Sequence, residues 1–120
     1  FFFFLQPRMA TEEEILLSHT NSHLEDMKKL PTMSAEELKE KGNSYDSIYL
    51  HSKSYECALL AAGTLLQVVD SVINGEARSG VAVVRPPGHH AEDDTACGFC
   101  LFNNVSIAAK YAIEVHSLKR

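Results

Sequence analysis

His89 and His90 stand side by side, and Glu92, Asp93, Asp94, Cys97 and Cys100 follow within the same short stretch. Imidazole titrates near neutral pH, so an adjacent pair can divide the work around a reacting carbonyl. One ring takes a proton from water while the other stabilises or positions the intermediate. The same residues spell out three rival chemistries. A closed zinc site from His89, His90, Cys97 and Cys100 has suitable atom types, but consecutive side chains diverge in extended backbone, which disfavours one shared ion. A zinc-deaminase pattern is imitated by His90-Ala91-Glu92 and Cys97-Gly98-Phe99-Cys100. Its halves stand too close for separate helices, and its proline is missing. A thiol redox motif, Cys-x-x-Cys before a helix, competes with simple packing of the two cysteines as small apolar groups.

Something must hold these groups in place. Val81-Ala82-Val83-Val84, bounded by Gly80 and by Arg85-Pro86, reads as a strand buried on both faces, as in a parallel sheet. The prolines stop it, and the titratable loop then lies beyond its carboxyl end, where open α/β sheets bind ligands. Before it, Ser54–Asn74 is expected to be a helix with Tyr55, Ala58, Ala62, Leu65, Val69 and Val72 on its apolar face. Glu56, Gly63, Gln67, Asp70 and Asn74 make the opposite face. Ser47–Leu50 reads as a further strand, giving a strand–helix–strand crossover over 47–84. After the loop, Asn103 or Asn104 caps a last helix whose apolar side carries Val105, Ala108, Ala109, Ala112 and Val115.

The first third carries two capping boxes, Thr11 with Glu14 and Ser34 with Glu37, the second opening a helix that Gly42-Asn43 should end. Leu24, Met27 and Leu30 recur at helical spacing before Pro31. No face before residue 42 is strongly apolar, as for surface helices wrapped on something larger. Residues 1–9, with the run Phe1 to Phe4, read as a leader or gene-model remnant without fold information, and 10–120 as the domain. Two parallel strands cannot cover their own faces, so 10–120 is expected to be the first portion of a larger α/β fold.

Composition narrows the partners. The 120 residues are 45% apolar and 22% charged, with a net charge of −5 and no basic cluster longer than a pair. That is a poor nucleic-acid surface. Three cysteines without a secretory pattern suit a reducing compartment. Neither Phe1–Leu5 nor the apolar run from Cys57 to Val69 is long enough for a bilayer, so no membrane partner is expected.

Arg85-Pro86-Pro87-Gly88-His89-His90-Ala91-Glu92, then Ala96-Cys97-Gly98-Phe99-Cys100 and Phe102-Asn103-Asn104-Val105, resemble class II zinc-dependent histone deacetylases, most of all the class IIb type that deacetylates tubulin. The likeness extends back through Tyr45-Asp46-Ser47-Ile48-Tyr49 and Ala58–Gly63 to Ala10–Glu14. It implies an arginase-like three-layer α/β/α fold and hydrolysis of N6-acetyl-lysine in histone tails or tubulin, in the cytoplasm or nucleus. Carried over by position, His90 is the general base and later acid, and His89 its electrostatic partner. Phe99 is one wall of the channel gripping the lysine methylenes, with Gly98 beside it, and Ser47 meets the acetyl-lysine amide. The family's Zn2+ ligands, two aspartates and a histidine, are expected beyond Arg120, so no metal residue is assigned here and the piece alone is expected to be inactive. The contrasting expectations are a non-catalytic deacetylase-like binding module and the Cys-x-x-Cys redox protein.

Overall fold

A computed structural model describes residues 3–119, arranged as helices joined by extended segments. The capping box at Thr11 forms as its spacing predicts: Glu14 N donates to Thr11 Oγ1 (3.2 Å) and Thr11 N to Glu14 Oε1 (2.8 Å). This opens α1 (Glu12–Ile15). Arg8 donates to both oxygens of the same carboxylate, at 2.7 and 2.8 Å, and Gln67 Nε2 donates to Gln6 O at 3.2 Å. The segment expected to be an idle leader is thus fastened at Gln6 and Arg8. Burial works to raise the Glu14 carboxyl, but Arg8 and the cap hold it below the usual range.

α2 (Asn21–Lys28) starts at Thr20, whose hydroxyl accepts from His23 N, and gives way at Pro31 to a 3-10 turn over Leu30–Thr32. α3 (Ala35–Asn43) opens on the Ser34–Glu37 box. It ends at Asn43, as the Gly42-Asn43 pair predicts. A methyl group at Gly42 would stand 3.1 Å from Ile48 O, so that glycine serves the close approach of 48–50.

α4 (Ser54–Ile73) ends at Asn74 and Gly75, which takes φ +80°. By length and composition it could cross a membrane, which the sequence reading of its shorter run denied. Here Ala58, Leu59, Ala62 and Leu66 are buried in the core instead. Gly63 joins the buried side, against expectation, because chain 8–10 crosses the helix there. Ala10 N donates to Leu59 O at 2.9 Å, and a Cβ on Gly63 would run into Arg8 O. Asp70 is also engaged rather than solvated: it accepts from Tyr111 Oη (2.8 Å) and pairs with His116 Nε2 (2.7 Å).

α5 (Asn104–Glu114) is capped by Asn103, whose Oδ1 accepts from Ser106 N at 3.0 Å. It packs on α4 through Asn104, Ile107, Ala108 and Tyr111, spaced i, i+3, i+4, i+7. Only Ala108 of the expected face is buried; Val105 and Val115 are 65% and 57% exposed. The cap fixes this rotation, since Asn104 is drawn under the 86–88 chain with its Nδ2 on Pro86 O.

The expected parallel sheet is not seen. Segments 47–50 and 81–84 form no ladder with each other, and among the described residues pairing is limited to isolated bridges, Asp46 with Cys97 and Cys97 with Cys100. Val81 and Val83 are 84% and 95% exposed while Ala82 and Val84 are half-buried. One face of 81–84 is therefore packed and the other open. Ladder hydrogen bonds need a neighbouring strand, and none pairs with 81–84 among the described residues. The core gathers Ile15, Leu24, Met27, Leu30, Leu66 and Ile107 around Phe102.

Candidate active site

Cys97, Gly98, Phe99 and Cys100 close a two-residue hairpin: Cys100 N donates to Cys97 O (2.9 Å) and Cys97 N to Cys100 O (3.1 Å). Gly98 and Phe99 both take positive φ, +53° and +68°, the signature of a type I′ turn. Glycine suits that region, but phenylalanine there costs roughly 1–2 kcal/mol. A second segment holds it. Gly98 N donates to Asp46 O at 3.0 Å and Phe99 N to Ser47 O at 2.9 Å. Ser47 itself has φ +55°. Two adjacent left-handed residues and a third roughly fifty positions earlier thus meet across two backbone hydrogen bonds. Backbone strain collects at sites whose surroundings over-determine it. The turn leaves the Phe99 ring 65% exposed. Ser47 Oγ donates to Asp46 Oδ1 at 2.9 Å, so toward any further partner its oxygen can act only as an acceptor.

His90 is tied to the same turn. Its backbone N–H meets Cys100 Sγ at 3.4 Å, and that buried thiol donates to Gly98 O, also at 3.4 Å. The His90 and His89 rings lie 4.3 Å apart, inclined at 54°, and both residues are exposed. The structure therefore brings His90, Gly98, Phe99 and Ser47 to one rim, with His89 joined through the His90 ring. Cys97 and Cys100 are thiols rather than a disulfide, and Cys100 is spent in hydrogen bonds within the core.

The loop from Gly88 to Asn104 is held from behind. Gly88 is buried, and a methyl on it would stand 2.5 Å from Asn104 N. Asn103 Nδ2 donates to Ala91 O at 3.1 Å. Two histidines absent from the sequence reading complete this backing. His19 Nε2 accepts from Asn103 N at 2.9 Å, which puts the ring proton on Nδ1, directed at Asp93 O at 3.2 Å. His23 Nε2 donates to Leu101 O at 2.7 Å. Burial pushes both imidazoles below their ordinary pKa; for His19 the neighbouring His23 adds to this. His19 lies just before the Thr20 cap and His23 in the first turn of α2, so their meeting, with rings 5.1 Å apart, follows from the cap rather than from a helical face.

These residues do not by themselves make a metal centre. Among the described residues no group of three or more His, Cys, Asp or Glu converges as ion ligands.

The family model described as "Histone deacetylase domain" matches residues 1–120. Polyamine deacetylase HDAC10 of Danio rerio is 52% identical over 113 residues, which cover 94% of this chain and 17% of that protein. Histone deacetylase HDA1 of Saccharomyces cerevisiae is 48% identical over 103 residues, 86% of this chain and 15% of that protein. The crystal structure of the HDA15 HD domain superposes with a TM-score of 0.78 at 29% identity, covering 92% of this chain and 30% of that one. The chain thus spans less than a fifth of the length of these curated relatives.

Proposed function

Because the chain belongs to the histone deacetylase family, we propose that it carries the proton-transfer and channel side of a site that hydrolyses N6-acetyl-lysine in proteins. Histone tails and tubulin are the substrates the sequence resemblance favours, met in the nucleus or cytoplasm. The observation that carries this reading is the stitching of Asp46-Ser47 to Gly98-Phe99 beside His90. It brings His90, Phe99 and Ser47 to one rim, which supports reading them as base, aromatic wall and amide acceptor.

The roles follow from what each atom can do. A lysine side chain is four methylenes ending in an amide, and an exposed aromatic ring on a rigid turn gives those methylenes an apolar surface. Ser47 Oγ, its proton already given to Asp46, accepts from the substrate N–H. His90 takes a proton from the water that adds to the acetyl carbonyl. It returns that proton to the amine nitrogen as the C–N bond breaks, releasing acetate and free lysine. His89, one ring away, adjusts the charge on His90.

The family resemblance implies Zn2+, which would activate that water and polarise the carbonyl. The residues described here do not assemble its ligands, so no step is drawn through it.

A second reading has its own support. Relatives from zebrafish and human bear the name polyamine deacetylase, the human protein at 44% identity over 116 residues. An acetylated polyamine offers the same acetamide on a methylene chain but carries extra positive charge. Steady-state hydrolysis of an acetyl-lysine peptide and of an N-acetylated polyamine by the full-length protein separates the two. A higher kcat/KM for the peptide upholds the proposal, and a higher value for the polyamine replaces its substrate. Hydrolysis of neither rejects both.

A further inference from the structure

We propose that His19 is a positioning residue for the His89–His90 loop, acting as a neutral imidazole that clamps the acidic end of that loop to the first turn of α5. The kinetic part of this inference rests on the deacetylase reading; the structural part does not.

Three segments meet at His19. Its Nδ1–H points at Asp93 O, and its Nε2 accepts the backbone N–H of Asn103. The next residue repeats the attachment, with Thr20 N donating to Asp93 O at 2.9 Å. Asn103 in turn holds Ala91 O, the residue directly after His90. A chain of bonds therefore runs from His19 to Asn103 to Ala91. His19 is 5% exposed and packs 5.4 Å from the Phe102 ring and 5.1 Å from His23. No solvent path is needed for its work, and its rings' contacts leave little freedom to turn.

The clamp needs one protonation state. A second ring proton would turn Nε2 from acceptor into donor, facing the Asn103 N–H with nothing between. The groups around His19 differ in their pull. Burial and His23, from α2, oppose a charge; Asp93 and the carbonyls of Glu92 and Asp93, from the loop, favour one. Burial prevails, so the neutral form is kept at neutral pH. α5 presents only the amide of Asn103 to the ring.

A positioning role differs from a mere core role in what it moves. Small displacements of a reacting group cost far more in kcat than in substrate affinity, about 10- to 100-fold for shifts near an ångström. The test uses the full-length protein carrying His19→Ala, His19→Gln or His19→Asn, with Met27→Ala, at a fully buried core residue, as a core-only control. Gln can present an acceptor where Nε2 stood; Asn is shorter and reaches only the Nδ1 position, where its amide can donate to Asp93 O. His19→Ala and His19→Asn should lower kcat about 10- to 100-fold with little change in KM, while His19→Gln recovers part of the loss. Met27→Ala should lower Tm by a similar amount and leave kcat within about threefold. Equal kcat losses in Met27→Ala and His19→Ala, or unchanged kcat in His19→Ala, overturn the proposal.

Hydrogen exchange separates this failure from failure of the deacetylase reading. His19→Ala should speed exchange at Asn103 and across 89–94 more than Met27→Ala does, whether or not the wild-type protein hydrolyses an acetamide. Equal exchange in the two variants overturns the clamp even where activity is absent.

Discussion

Gly98 and His90 are packed so closely that a methyl group on Gly98 would stand 2.8 Å from His90 Cδ2 and 3.0 Å from its Cβ. Gly98 also sits at φ +53°, a conformation that alanine adopts only at a cost of about 1 kcal/mol. Gly98→Ala therefore adds strain to a turn that already holds Phe99 at positive φ, and pushes the imidazole outward. The expected result is a stability loss of roughly 1–3 kcal/mol in urea denaturation. A fall in kcat of more than about tenfold should accompany it. Wild-type kcat in Gly98→Ala would show that the His90 ring is not a reacting group.

Gly63→Ala sets two effects against each other. Alanine inside a helix is favoured over glycine by about 0.8–1 kcal/mol. At Gly63 the new methyl meets backbone on three sides: Arg8 O, Ala10 N and Met9 C. Backbone cannot swing away as a side-chain tip can, and overpacking of this kind costs about 1–3 kcal/mol. The clash wins, so the urea midpoint should fall. A raised midpoint would mean that chain 8–10 does not lie across α4 in solution.

What could be read from the sequence was local. Thr11 with Glu14 and Ser34 with Glu37 form capping boxes because both partners lie within one turn. The single apolar rhythm of 54–73 likewise placed α4 to within a residue. Failures came where a distant segment decides. Gly63 looked solvent-facing by periodicity, but residues 8–10 cross it. The face of α5 is set by Asn104 beneath Pro86 rather than by its alanines, which could serve either side. Strand pairing at 81–84 depends on neighbours that no local pattern supplies. At the rim, His90 stood out by its own chemistry, as one of two adjacent imidazoles, whereas Ser47, Gly98 and Phe99 were singled out by family resemblance alone. Their meeting rests on two hydrogen bonds between segments roughly fifty residues apart, invisible to spacing.

His19 and His23 give the fold an acid-sensitive component. Each is held with its pKa below the ordinary 6.5, chiefly by burial, so the unfolded chain binds protons more readily than the native one. Their contribution is complete above the unfolded value and is lost as pH falls from 6.5 towards the depressed native values. Tm should decline over that window, and His23→Phe should flatten the decline. Glu14, held below 4.5, acts in a separate and more acid range. A Tm that rises as pH drops from neutrality to 5.5 would contradict the neutral, buried state of both rings.

His90 is the residue on which the proposed chemistry turns. Its ring is exposed, and what ties it to the fold is its backbone N–H on Cys100 Sγ. Removing the imidazole should therefore leave folding nearly untouched. If His90 takes the proton from the attacking water and returns it to the departing amine, His90→Ala should slow the chemical step by about 10²–10⁴-fold, the usual contribution of a positioned general base. KM should change little, because the methylene wall at Phe99 and the acceptor at Ser47 remain. His89→Ala should cost less, since its ring acts through His90 across 4.3 Å rather than on the water. Single-turnover hydrolysis of an acetyl-lysine peptide by each variant of the full-length protein measures this, alongside thermal melts of both. Full rate in His90→Ala, or a larger loss in His89→Ala, would reverse the two assignments. A rate loss matched by an equal loss of Tm would assign His90 to structure instead.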